Sequence, residues 1–224
     1  MSAASSGFAS PSVPTIAPVE NRINRETDDF LARLPRPERL SADQRRGIIA
    51  RYTAVLEGNF IYWMTGAYLA VTSDPARAII LDNLQEEVRD AHPLMLRKFA
   101  IAARAVPTDS DALAINRDLT QVRLFIGRLS PLPIVVMMTF FEGLIRRFMP
   151  YLADLAERQG STELQYTDVH GECDIAHTEG LYRVVEAELE AADNPPVTDE
   201  LFEGVTLLRR LLETTITGHE AHAQ

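Results

Sequence analysis

Apolar positions recur every three or four residues along most of the chain, the period of a helix buried on one face. Over 42–70, Ile48, Ile49, Tyr52, Leu56, Phe60, Trp63, Tyr68 and Leu69 fall on that period. Ser41 precedes the segment as an N-cap, and Gln44 completes a capping box. Asp74-Pro75 starts a second helix carrying Ile79, Ile80, Leu81 and Leu84. His92 stands before Pro93, and a residue before proline avoids the α region, so a kink or break is expected at 91–93, with helix resuming to about Ala105. Further helices are predicted over about 109–129, 133–158, 162–191 and 198–217, with Gly160 and Asn194-Pro195-Pro196 as stops. No segment alternates with a period of two between turn dipeptides, so no strands are expected. The prediction is an all-α bundle of seven or eight helices over residues 21–224, with short loops favouring antiparallel neighbours. Residues 1–20 read as a disordered Ser/Ala/Pro-rich tail, too poor in large apolar side chains to fold alone.

Composition narrows the functions available. The chain has 224 residues and a net charge of −10. Clustered Lys/Arg is what nucleic acid and anionic membranes bind, so neither is expected as a partner. A single cysteine, Cys173, excludes an internal disulfide framework and a cysteine-based zinc finger. The longest apolar run, about Leu132 to Phe141, is far short of a membrane span and ends at Glu142. The N-terminus has neither a basic segment nor a continuous apolar one, so a cytoplasmic protein is expected.

Candidate chemistry comes from charges set among apolar residues. Glu57 lies in AVLEGNFIYW and Glu142 in MMTFFEGLI. An unpaired buried carboxylate is costly, so two of them on separate helices point to a shared polar site. The competing reading is a solvated helix face. Residues 170–177 read HGECDIAH, placing His170, Asp174 and His177 within roughly 60° of one helix face. Two imidazoles and a carboxylate on one stripe suit a first-row transition metal such as iron or manganese. His92 is a further potential ligand. In an unbroken helix Glu86 and Glu87 would point about 240° and 140° away from it, so the break before Pro93 must re-aim its acid partner. That partner stays open between Glu86, Glu87 and Asp82. The set Glu57, His92, Glu142, His170, Asp174 and His177 is enough for two metals. No glutamate has a histidine three residues on, which excludes the ferritin-like arrangement.

In this order, Glu57, His92, Glu142 and then His170/Asp174/His177, the chain resembles the heme-oxygenase-like di-iron oxidases and oxygenases over roughly residues 40–215. The departure is on the helix before His92, where the extra acid is not cleanly placed. The resemblance implies a heme-oxygenase-type bundle without heme. It implies two Fe(II)/Fe(III) ions as cofactors and O₂ as co-substrate, with attack of the resulting oxidant on a small molecule. It also implies N-oxygenation or oxidative C–C cleavage of an amine, amino-acid-derived or carboxylic-acid substrate in specialised-metabolite biosynthesis. Glu57 and Glu142 would bridge the irons, the three histidines would be terminal ligands, and Asp174 a carboxylate ligand. An external reductant and a homodimer are the further partners the reading allows.

Helical spacing nominates Phe60, Ile61 and Met64 beside Glu57, and Met138, Thr139 and Ile145 beside Glu142, as substrate contacts. Tyr166 and Cys173 flank His170. Arg146, four residues after Glu142, is expected either to pair with it or to hold a substrate carboxylate. Plain core packing is the competing reading for each. Two other functions compete with the di-iron one: a metal-free enzyme of the thiaminase-like or quinone-forming kind, and a non-enzymatic helical binding protein.

Overall fold

The computed structural model describes residues 16–218, of which 172–175 only as backbone. Among them are nine α-helices and no strand: α1 Ala17–Ala32, α2 Ala42–Leu56, α3 Asn59–Ala70, α4 Asp74–Arg89, α5 His92–Ala102, α6 Asp109–Ile126, α7 Pro131–Glu157, α8 Gln165–Ala191 and α9 Glu203–Thr217. Short 3₁₀ turns at Pro37–Arg39 and Asp199–Phe202 precede α2 and α9. No helix among the described residues is long and apolar enough to cross a membrane.

The count exceeds seven or eight for two local reasons. α1 begins inside the stretch read as tail: Pro18 fits the first helical turn, and Val19, Ile23, Thr27 and Phe30 form a buried stripe. The segment 42–70 is two helices because Gly58 turns left-handed, at φ +80°. A side chain disfavours that conformation and glycine does not. Asn59 pins the junction. Its Nδ2 donates to the Val55 carbonyl at 2.7 Å, and its Oδ1 accepts from Arg123 Nε and Nη2 at 2.9 and 2.7 Å.

The expected break at 91–93 is present. α4 stops at Arg89, Ala91 is left-handed (φ 56°, ψ 39°), and His92 opens α5 with Pro93 in its first turn. A left-handed alanine costs roughly 1–2 kcal/mol, so surrounding contacts hold it there.

α7 is the central element, about 40 Å long at 1.5 Å per residue. Its buried residues face every direction, from Ile134 and Val135 to Glu142 and Leu155, as expected of a helix surrounded by others. α8 lies along it, and α1, α2, α3 and α9 complete the packing. Trp63, Tyr52, Phe99, Phe140 and Phe202 fill the core. α4 is clamped to α8 by the buried Glu188 carboxylate, which accepts from Thr72 N (3.0 Å), Ser73 N (2.9 Å) and Thr72 Oγ1 (2.9 Å) just before α4 begins. This clamp fixes the two helices that carry most of the candidate ligands.

Candidate metal centre

The centre forms where the α4–α5 break meets α8. The left-handed Ala91 folds α5 back, so Glu87 on the last turn of α4 reaches His92 on the first turn of α5. Glu87 Oε1 accepts from His92 Nδ1 at 2.8 Å, and both side chains are about 5% exposed. The alternative left open by the sequence is thereby resolved: Glu87, not Glu86 or Asp82, is the acid beside His92. This hydrogen bond raises the His92 pKa above its ordinary value against the opposing pull of burial.

His170 comes from α8. Its ring lies 4.6 Å from that of His92 and 4.2 Å from that of Tyr166, centroid to centroid. Its Nδ1 is 2.8 Å from the Tyr166 carbonyl oxygen. A carbonyl only accepts, so Nδ1 carries the proton and Nε2 presents a lone pair. Burial lowers the His170 pKa and keeps the ring neutral. A neutral imidazole with its far nitrogen fixed by a carbonyl is the form that ligates metals. Glu87, His92 and His170 are all buried, and each offers one ligand atom within 4.8 Å of the others. One carboxylate oxygen and two imidazoles suit a first-row transition ion.

Glu142 is 3% exposed and lines the same cavity. The remaining wall is apolar: Leu56, Phe60, Ile61, Leu96, Phe141 and Ile145, with Tyr166 at one side. The cavity volume is about 30 Å³, enough for a water or two. Tyr166 is further tied to Tyr52, hydroxyl to hydroxyl, at 2.9 Å.

His177 lies two turns along α8 and pairs across to α4, its Nε2 2.8 Å from Glu86 Oε2. Consecutive glutamates thus serve different histidines, Glu87 with His92 and Glu86 with His177. The Asp174 and Cys173 side chains lie outside the described residues. One turn before Glu87, on the same buried face of α4, Asn83 Nδ2 is buried with no hydrogen-bond partner. A buried donor left unmade costs about 1–3 kcal/mol.

Several expectations need correction. Glu57 is not buried among apolar groups. The Gly58 turn ends α2 just before it, leaving its side chain 47% exposed and 3.6 Å from Arg97, off the cavity wall. Met64, Met138 and Thr139 are packed in the core, the Thr139 hydroxyl donating to the Val135 carbonyl at 2.8 Å. Arg146 neither pairs with Glu142 nor faces this cavity. It turns about 40° further round α7 and lines a separate cleft. Phe60, Ile61, Ile145 and Tyr166 line the cavity. Leu56 and Leu96 also line it, and nothing in their local pattern along the sequence separates cavity wall from core.

Comparison with known proteins adds one finding. Residues 50–212, well over half the chain and the whole of the cluster, match the model of a family described as iron-containing redox enzyme. No curated protein and no solved structure matches the chain.

Proposed function

The chain belongs to this family of iron-containing redox enzymes, and we propose that within it the protein is an O₂-activating non-heme di-iron oxidase or oxygenase. The supporting observation is the buried Glu87–His92–His170 cluster, whose oxygen and nitrogen donors accommodate iron in both common oxidation states. Glu87, His92 and His170 would hold one ion. Glu142, Asp174 and His177 would hold the second, with Glu86 already against His177 as a further carboxylate. When bound, two ferrous ions supply the electrons that reduce O₂.

The chain's own groups prepare that site. The Tyr166 carbonyl keeps the His170 proton on Nδ1 and so keeps Nε2 available. Glu87 takes the His92 Nδ1 hydrogen bond through one oxygen and leaves the other for an ion. Leu56, Phe60, Ile61, Phe141 and Ile145 keep bulk water from the donors, which strengthens every charge interaction there. The substrate is a small amine, amino-acid-derived molecule or carboxylic acid, transformed by N-oxygenation or oxidative C–C cleavage in a biosynthetic pathway, with an external reductant.

The test is anaerobic ferrous titration of the iron-free protein, followed by rapid mixing with O₂. Uptake of about two irons per chain and a transient visible band are expected. No iron uptake and no O₂-dependent band would overturn the proposal.

A further inference from the structure

A second cleft, of about 420 Å³, opens between α1, α7 and α8 on the face of α7 next to the metal cavity. Its size is that of a small-molecule site, whereas the metal cavity holds little more than water. Three helix stripes form it. α1 presents Glu20, Ile23, Asn24 and Thr27, α7 presents Gly143, Arg146 and Arg147, and α8 presents Thr178, Glu179 and Tyr182.

The charges in this cleft do not cancel one another. Arg147 is answered by Asp28 at 2.7 Å. Arg146, Glu20 and Glu179 form no ion pair among the described residues, although both signs share one cleft. Thr178 Oγ1 is buried there without a hydrogen-bond partner. Gly143 faces Thr178 closely enough that a Cβ on it would stand 3.6 Å from the threonine methyl, so the missing side chain keeps the floor open beside that hydroxyl. Burial holds the Tyr182 hydroxyl protonated, its pKa pushed up to about 12, so it remains a donor on the same wall.

We infer that this cleft binds a small zwitterion, a molecule carrying one carboxylate and one ammonium group. Arg146 and the Thr178 hydroxyl take the carboxylate, and Glu20 and Glu179 take the ammonium. A guanidinium fork and a hydroxyl donor match a carboxylate, and an unanswered pair of carboxylates favours a cation. A simple anion would leave Glu20 and Glu179 facing it, and a simple amine would leave Arg146 and Thr178 unused. The inference does not depend on iron, because none of these side chains is among the residues proposed to hold it.

The test is calorimetry on the full, iron-free chain with norvaline and 5-aminopentanoate, against pentanoate and pentylamine as the two half-ligands. At least one aminated acid is expected to bind about tenfold or more tighter than either half-ligand. Arg146→Gln is expected to remove that preference. Arg158→Gln, at a surface pair with Asp154, is expected to leave it intact. Thr178→Val weakens binding about tenfold without lowering the unfolding midpoint of the free protein, because it deletes a buried hydroxyl that has no partner. This second variant keeps the test decisive if Arg146→Gln misfolds. Equal affinity for aminated acids and half-ligands, a preference that survives in folded Arg146→Gln, or undiminished binding of the aminated acid by Thr178→Val overturns the inference. Loss of iron binding with retained zwitterion binding would overturn only the di-iron proposal.

Discussion

Replacing Glu87 by glutamine tests the geometry of the centre most directly, because Glu86→Gln next to it is a matched comparison at a half-exposed carboxylate. The substitution keeps the side-chain shape and removes the carboxylate 2.8 Å from His92 Nδ1. Both partners are buried, so the lost charge-assisted hydrogen bond is worth about 1.5–3 kcal/mol. The Glu86–His177 contact involves a carboxylate 37% exposed to water, and losing it costs about 1 kcal/mol or less. Metal affinity separates the two further. Removing groups that merely support a ligand costs about 10–100-fold, so losing the cluster's own carboxylate is expected to cost at least about 100-fold, or about 2.7 kcal/mol. Glu86→Gln is expected to cost less. The assay is anaerobic ferrous titration against a competing chelator, with urea unfolding of the iron-free protein alongside. The pH dependence carries its own sign. Glu87 raises the His92 pKa in the folded state. The stabilisation is therefore full below the unfolded histidine value of about 6.5 and is lost as pH rises through the raised folded value. The Glu87→Gln penalty should be larger near about pH 5.5 than near about pH 9. Unchanged iron affinity in Glu87→Gln, with the loss appearing in Glu86→Gln instead, would refute the ligand assignment. A penalty independent of pH would refute the charged pair.

Glu57→Gln, at an exposed pair with Arg97, should leave ferrous affinity within about twofold in the same titration. Gly58→Ala should lower stability by about 1 kcal/mol in chemical denaturation, since its φ of +80° is strained for any side chain even though no neighbour crowds the added Cβ. Glu188→Ala strips acceptors from Thr72 and Ser73 and should cost about 2–4 kcal/mol of stability. It should also raise hydrogen exchange at the start of α4. Burial pushes Tyr151 and Tyr182 up to about 12 each. An alkaline absorbance titration should show Tyr151 and Tyr182 among the late-ionising tyrosines, and stability should fall as pH rises from about 10, where unfolded tyrosine ionises, through their folded values.

The sequence by itself determined the helical frame. The three-to-four-residue apolar period, the capping box at Ser41 and Gln44 and the prolines at 75, 93 and 131 are local signals, and a helix is stabilised by bonds between residues four apart. The same locality made His170 and His177 legible, since both lie on one helix face, and it marked the stop before Pro93. Two breaks decided the rest. At Gly58 the chain turns left-handed and delivers Glu57 to solvent, although its neighbours in sequence are apolar. At Ala91 an unfavourable left-handed residue turns the chain back and brings Glu87 onto His92. Alanine carries no local signal for that conformation; contacts from other helices must impose it. The division of Glu86 and Glu87 between His177 and His92 depends on the register of α4 against α8, which the distant Glu188 clamp fixes. Arg146 shows the same limit: its spacing from Glu142 was readable, but α1, packed alongside α7, decides that it faces a cleft of its own. Local hydrogen bonding and periodicity can be read along the chain, whereas left-handed breaks and helix register are set by contacts between residues far apart in it.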